Sequence, residues 1–229
     1  MKPAAVMIFA AGLGTRMGAL TRDRPKPLIE VAGRPLIDHA LALVRDAGIP
    51  RIVVNTHAHA ESLRAHLARV APHALVSHEP ERLETGGGLK AALSLLGEGP
   101  VFTLNADMVW RGPNALRLLA AAWTPDIGAL VALVPRGAAI GHAGPGDFFR
   151  AADGSLTRRD GLPSADYVYA GAQIIDPDPV AAFPERVFSL NAIWDGLIPA
   201  GRLRGAVYPG GWVDVGCPEG IALAEAGLA

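Results

Sequence analysis

A chain of 229 residues fits one large α/β domain at the usual ~100–200 residues per domain. Half of its residues are hydrophobic, enough for a sizeable core, yet no apolar run approaches the ~20 residues of a membrane helix, so no membrane partner is expected. A formal net charge of −1 leaves no basic footprint for nucleic acid, and a single cysteine, Cys217, excludes an internal disulfide framework and suits a reducing, cytoplasmic setting.

Ala4–Phe9 is apolar throughout and reads as a buried strand rather than a signal peptide, because it runs directly into a glycine turn. That turn opens the stretch Ala10–Pro27, A-A-G-L-G-T-R-M-G-A-L-T-R-D-R-P-K-P. Gly12 and Gly14 carry no Cβ, so backbone N–H groups can approach an anion. Arg16 and Lys26 add full charge, and Pro25 and Pro27 on either side of Lys26 push it toward an extended conformation and hold its ammonium in place. The combination suits a polyphosphate. A dinucleotide fold is a weak alternative, since Met17 stands in the third glycine position and the next strand ends in Asn55. A P-loop fails for want of Gly-Lys-Ser/Thr. A plain structural turn with incidental cations is opposed by the proline-bracketed lysine.

Leu28–Val31 is a short extended piece, and a helix then runs from Pro35 to just before Gly48, with Leu36, Ile37, Ala40, Leu41 and Val44 on one face. Arg51–Asn55 is the second strand, Ala60–Val70 a second amphipathic helix and Ala74–Ser77 the third strand. Such alternation predicts a Rossmann-like, doubly wound, mostly parallel sheet, with ligands beyond the C-terminal ends of its strands. His78–Gly88, H-E-P-E-R-L-E-T-G-G-G, is a loop opening a helix through Leu96. Three consecutive glycines there are costly unless something approaches the backbone closely, for which a base edge is a candidate and a flexible lid the plainer reading.

Val101–Leu104 is a buried strand with Asn105-Ala106-Asp107 at its tip. A carboxylate in that place can hold a metal against a phosphate, or cap the helix near Asn114. Ile127–Val134 is a long apolar strand. Arg136–Pro163 is rich in Gly, Pro, Asp and Arg, with a hairpin from Asp147-Phe148-Phe149 across Asp153-Gly154. Tyr167–Ile175 is again a strand, with Gly171 where a ligand could approach. Asn191 opens a helix through Ile198, where capping outweighs contact with a phosphate. Leu203–Tyr208 is a strand, and Pro218 starts the last helix. His57-Ala58-His59 lacks a third ligand and is read as ordinary surface, not a metal pair.

Gly12-Leu13-Gly14-Thr15-Arg16-Met17, with Leu20-Thr21 and Pro25-Lys26-Pro27, resembles the signature of sugar-1-phosphate nucleotidyltransferases. Three departures stand out: Ala19 where proline is usual, Cys217 where Thr or Ser is usual, and no Glu-Lys-Pro segment before the Tyr167 strand. Within that family the L-E-T-G-G-G loop, the Gly144-Pro145-Gly146-Asp147-Phe148 element and the ending G-G-W-V-D-V-G at Gly210–Gly216 are most similar to the short bacterial N-acetylmuramic acid α-1-phosphate uridylyltransferases.

The resemblance implies the nucleotide-diphospho-sugar transferase fold in one nucleotidyltransferase domain over residues 1–229, with a nucleotide half (1–134) and a small sugar-binding β subregion (135–229). It implies nucleotidyl transfer from an NTP, UTP being the first choice, to a sugar-1-phosphate in cell-wall (peptidoglycan) sugar recycling. Arg16 and Lys26 are then catalytic. Ala11, Gly12, Gly14, Thr15 and Asn105 bind the nucleotide, and Glu79, Thr85 and Gly86 its base. Asp147, Gly171 and Asn191 face the sugar, while Asp107 and Asp214 hold Mg²⁺. A monomer or weak homo-oligomer is expected. The alternatives are a mannose- or heptose-1-phosphate guanylyltransferase, a molybdopterin guanylyltransferase, against which Pro25-Lys26-Pro27 and the Trp212–Gly216 ending speak, or a non-catalytic nucleotide-sensing subunit.

Overall fold

In the computed structural model, which describes residues 2–228, the first strand, β1 (Ala5–Phe9), lies inside the sheet with four of its five residues fully buried. The glycine-rich stretch that follows winds as 3₁₀ turns over Thr15–Thr21 and Lys26–Leu28. A two-stranded hairpin, β2 (Glu30–Val31) and β3 (Arg34–Pro35), leads into helix α1 (Leu36–Ala47), which buries the five apolar residues its spacing predicts. Gly48 ends it at φ 70°, the left-handed C-cap that favours glycine. Strand β4 (Arg51–Thr56), helix α2 (Ala60–Val70) and edge strand β5 (Leu75–His78) continue the alternation.

Helix α3 (Glu84–Leu96) precedes β6 (Val101–Asn105), and a short strand, β7 (Met108–Arg111), follows immediately. Helix α4 (Ala115–Ala122) is capped by Asn114, whose side chain accepts from the Leu116 and Arg117 N–H groups, so Asp107 is left free of capping. The second half carries β8 (Ala129–Pro135), the hairpin β9 (Phe148–Arg150) and β10 (Leu156–Arg158), and β11 (Tyr167–Ile175). It closes with α5 (Asp178–Ala182), α6 (Leu190–Leu197), β12 (Leu203–Val207), β13 (Gly211–Asp214) and α7 (Glu219–Leu228).

The nine-stranded sheet runs β10-β9-β11-β6-β1-β4-β5, with β8 also on β11 and β12 on β8. Its β6-β1-β4-β5 portion is parallel, as strand–helix alternation requires, and β11 enters antiparallel to β6. Strand β11 is the seam between the halves. Its ladder with β8 shifts register between Tyr169 and Gln173; before the shift Tyr167 pairs with Phe148 of β9, and after it Ala172–Ile175 pair with β6. Such a bulge bends a strand and lets one chain serve two neighbours. The parallel strands' C-terminal ends, Phe9, Asn55 and Asn105, open onto the same edge, and the site lies there.

Candidate active site

The glycine turn is shaped to seat Lys26. Gly14 takes φ 63°, and a Cβ there would stand 2.8 Å from Thr21 Cγ2 and 3.0 Å from Lys26 Cβ, so only glycine lets the loop close over the lysine stem. Pro25 and Pro27 do not hold Lys26 extended as expected. The Ile29 N–H bonds the Lys26 carbonyl at 2.9 Å and makes Lys26–Leu28 a single 3₁₀ turn, tolerated because Pro27 falls where an N–H would be unpaired. Lys26 is only 8 % exposed, and its Nζ lies 2.5 Å from Asp107 Oδ2. Thr15 and Arg16, by contrast, are exposed on the same loop.

The two aspartates singled out in the sequence come together through strands the sequence did not mark as partners. β13 pairs antiparallel with β7, setting Asp214 opposite Met108, and the Val215 N–H donates to the Asp107 carbonyl at 3.0 Å. Asp214 Oδ1 is buried without a hydrogen-bond partner. Burial, and then the Asp107 carboxylate, hold Asp214 above the usual carboxylate range, against the pull of Lys26, Arg16 and His142. Arg16 closes the other side: a Cβ on Gly216 would meet Asp214 Oδ1 at 2.9 Å and Arg16 Nη2 at 3.1 Å. Two neighbouring carboxylates, one with a buried unpartnered oxygen, form a donor set suited to a hard divalent cation. Among the described residues no three His, Cys, Asp or Glu side chains converge, and Mg²⁺ needs only one or two carboxylates when water and phosphate supply the rest.

A cleft at the ends of β1, β4 and β6 is lined by Phe9, Ala11, Gly12, Asn55, Glu79, Arg82, Glu84, Thr85, Asn105 and Asp107. Six of these were expected on the nucleotide or the metal; Asn55, Phe9, Arg82 and Glu84 were not. Asn55 is the structural link. Its Oδ1 accepts from the Ala10 N–H at 2.6 Å and its Nδ2 donates to Glu79 Oε1 at 2.7 Å, while Glu79 Oε2 accepts from the Leu83 N–H. The buried Glu79 carboxylate thus ties the glycine turn to the loop before α3. The His57 Nδ1–H donates to the Glu79 carbonyl, which accounts for one of the two loop histidines.

Gly86, Gly87 and Gly88 are buried in the first turns of α3, not in a loop, and what approaches them is the chain itself. The Gly86 and Gly87 N–H groups both donate to the Phe188 carbonyl. A Cβ on Gly86 would stand 2.3 Å from the Phe188 ring, and one on Gly87 2.2 Å from the Arg186 carbonyl. Gly86 therefore supports the cleft wall from beneath. We expect Gly87→Ala to cost ~1–3 kcal/mol by overpacking against a backbone that cannot step aside. Thermal unfolding should show a midpoint about 2–4 °C lower per kcal/mol.

A second cleft shares Phe9, Thr85 and Asn105 with the first and adds Asp147, Tyr169, Ser189, Leu190, Asn191 and Trp194. Asp147 Oδ2 accepts from the Tyr169 N–H at 2.8 Å. Burial, with Asp147 adding to it, holds the Tyr169 phenol well above its usual range, so it stays neutral. Asn191 does not cap α6 as expected. Ser189 does, its Oγ accepting from the Asn191 N–H, and the Asn191 side chain is left at the cleft. Gly171, at φ 83° in the β11 bulge, is approached by Met108 Cγ and Asn105 Cβ, which a Cβ would meet at 2.9 and 3.1 Å. The groups that crowd Gly171 are thus those of Asn105 and Met108, and a side chain there would displace Asn105 from the cleft.

Two clefts that share Phe9, Thr85 and Asn105, with Asp107 lining the first and Lys26 and Asp214 clustered on it, offer room for two substrates next to a lysine and two carboxylates. The chain is 43% identical over 99% of its length to N-acetylmuramate alpha-1-phosphate uridylyltransferase of Caulobacter vibrioides, covering 98% of that protein. It is 32% identical to the protein of the same name from Neisseria meningitidis serogroup B, over 92% of each chain. The crystal structure of HddC from Yersinia pseudotuberculosis complexed with GMP-PN superposes with a TM-score of 0.79 at 20% identity over all of both chains, which speaks for the fold. Residues 6–192 match the model of the MobA-like NTP transferase domain, and with that match and these relatives the chain belongs to the MobA-like NTP transferases, as a nucleotidyltransferase of the sugar-1-phosphate kind.

Proposed function

We propose that this chain transfers UMP from UTP to N-acetylmuramate α-1-phosphate, releasing pyrophosphate, in the cytoplasmic recycling of cell-wall sugar. The observation that supports the reading is the cluster of Lys26, Asp107 and Asp214 at the end of the first cleft, which Asp107 lines, beside a second cleft that shares Phe9, Thr85 and Asn105 with it. The relatives of the same length that carry this activity in their names support the choice of base and sugar.

In this reading residues 1–134 hold the nucleotide and 135–229 the acceptor. Ala11, Gly12, Gly14, Thr15 and Arg16 face the triphosphate with backbone N–H groups and one guanidinium. Glu79, Thr85 and Asn105 line the nucleoside end, with Gly86 packed beneath them. Asp147 and Asn191 line the acceptor cleft, with Gly171 behind it. An oxygen of the acceptor phosphate attacks the α-phosphorus, a P–O bond forms, and the bridging P–O bond to the β-phosphate breaks in line. Lys26 neutralises charge on both reacting phosphates, and the chain forms no covalent intermediate. Catalysis is positioning and electrostatics. Asp107 and Asp214 would hold Mg²⁺, which supplies positive charge at the α-phosphate.

A thermal-shift series with Mg²⁺ and UTP, dTTP, CTP or GTP tests the base. UTP at about 100 times its Kd should raise the midpoint by about 5–10 °C, the others by less. Stabilisation by GTP alone would replace the uridylyl reading with a guanylyl one. Pyrophosphate release with N-acetylmuramate α-1-phosphate then tests the acceptor, and its absence with every NTP and sugar phosphate would leave a nucleotide-sensing subunit.

A further inference from the structure

Beside the acceptor cleft, Arg158 at the end of β10 is held with unusual completeness for a partly exposed side chain. Its Nε donates to Asp195 Oδ1 at 2.8 Å, and its Nη2 donates to Asn191 Oδ1 at 2.9 Å. The guanidinium carbon lies 4.7 Å from the centroid of the Phe148 ring and 5.6 Å from that of Trp194. The side chain nevertheless retains 23% of its exposure, and Nη1 has no hydrogen-bond partner among the described residues. Asn191 and Trp194 both line the acceptor cleft, and Phe148 follows Asp147, which lines it too.

None of the residues lining that cleft is cationic, and its one carboxylate, Asp147, is occupied by the Tyr169 N–H. An aromatic platform and two hydrogen bonds fix the guanidinium plane in advance, so a ligand carboxylate meeting it loses little further side-chain entropy. Asp195 and Asn191 take up Nε and Nη2, which leaves the two Nη1 N–H groups of the partly exposed guanidinium for a ligand beside the cleft residues it touches. The added tie to Asn191 turns the fork toward the cleft residues.

We infer that Arg158 is a specificity-determining residue that recognises a carboxylate on the acceptor sugar, distinct from its phosphate. The inference rests on the acceptor reading above: N-acetylmuramate differs from N-acetylglucosamine by a carboxylate-bearing ether substituent, and Arg158 selects for it. Asp195, Phe148 and Trp194 are then positioning residues for the guanidinium.

The test uses the full chain with UTP and Mg²⁺, comparing wild type, Arg158→Gln and Arg158→Lys by pyrophosphate release. N-acetylmuramate α-1-phosphate is the acidic acceptor and N-acetylglucosamine α-1-phosphate the neutral one. Arg158→Gln should raise KM for the acidic acceptor about tenfold or more, with kcat and KM for UTP unchanged. Turnover of the neutral acceptor should fall far less, since it loses only the Arg158 hold on Asn191 and no ion pair. Arg158→Lys should recover part of the loss, because it keeps the charge without the fork. An unchanged KM for the acidic acceptor, a fall in kcat alone, or equal losses on both acceptors would overturn the assignment, the last by making Arg158 structural. Wild-type turnover with neither acceptor would instead overturn the acceptor reading itself, and wild type alone reveals it. Unfolding midpoints of the two variants check that each is folded.

Discussion

Lys26→Ala folds and loses on the order of 10²–10³ in kcat, the usual consequence of deleting one preorganised charge from a site where charge builds up in the transition state. Lys26 is nearly buried beneath the glycine turn, and its ammonium already stands on Asp107, so neither its stem nor its charge has to be ordered when substrates arrive. In the proposed reaction water cannot replace it, because the cation is assigned to the point where two phosphates approach each other. The neighbouring carboxylates, Asp107 and Asp214, lose a compensating charge in the variant. Metal-free Lys26→Ala should therefore melt below wild type, and added Mg²⁺ should recover the midpoint without recovering turnover. Circular dichroism and pyrophosphate release, measured on the same samples, separate the two effects. Near wild-type turnover in a folded Lys26→Ala protein would remove the phosphate-bridging role.

Asp214→Asn should lose a similar ~10²–10³ in turnover at saturating Mg²⁺ and yet, without metal at neutral pH, melt no lower than wild type. A carboxylate with one buried, unpartnered oxygen, pressed against a second carboxylate, is a cost to the folded state that only a ligand offsets. The pH dependence follows from the direction of the shift. Burial and Asp107 raise Asp214 in the folded chain above its ordinary 3.8, so the folded state binds the proton more tightly than the unfolded one. Stability from this group is present at low pH and falls as pH rises from 3.8 through the raised folded value. The midpoint of Asp214→Asn minus that of wild type, both metal-free, should grow over that interval. A difference that is flat with pH, or a variant that keeps its turnover, would show that Asp214 does not stand as a strained metal carboxylate.

Local chemistry was legible along the chain. Apolar runs without alternation marked β1, β6 and β8, and a heptad-like face with Gly48 behind it marked α1. The glycine turn with Arg16 and the proline-bracketed Lys26 pointed to a loop suited to phosphate, which the proposed function adopts. Even the hairpin of β9 and β10 was visible, because Asp153-Gly154 is a turn signal between strand-formers. Elsewhere a correct residue carried an incorrect reason. The three glycines were rightly seen as a close approach, but the approaching group is the chain's own backbone at Arg186 and Phe188. Lys26 was rightly seen as fixed, but by a 3₁₀ turn rather than an extended segment. Asn191 was weighed as a cap when Ser189, two residues earlier, already supplied one.

What the sequence by itself determined is the set of groups: a glycine turn, a proline-bracketed lysine, two aspartates, and strands and helices in the order that builds a parallel sheet. These follow from φ/ψ preferences, side-chain periodicity and charge, all of which act over a few residues. Only the tertiary structure decided which groups meet. The β7–β13 ladder, which no local pattern announced, sets Asp214 beside Asp107, and the β11 bulge lets one strand bind both β6 and β9, which brings Tyr169 and Asp147 to the second cleft beside Asn105. Asn55, Arg158 and the Phe188 carbonyl find their partners in the same way, through hydrogen bonds between segments far apart in the chain. Pairings of that kind depend on how the sheet closes on its helices, which no short stretch of sequence encodes alone.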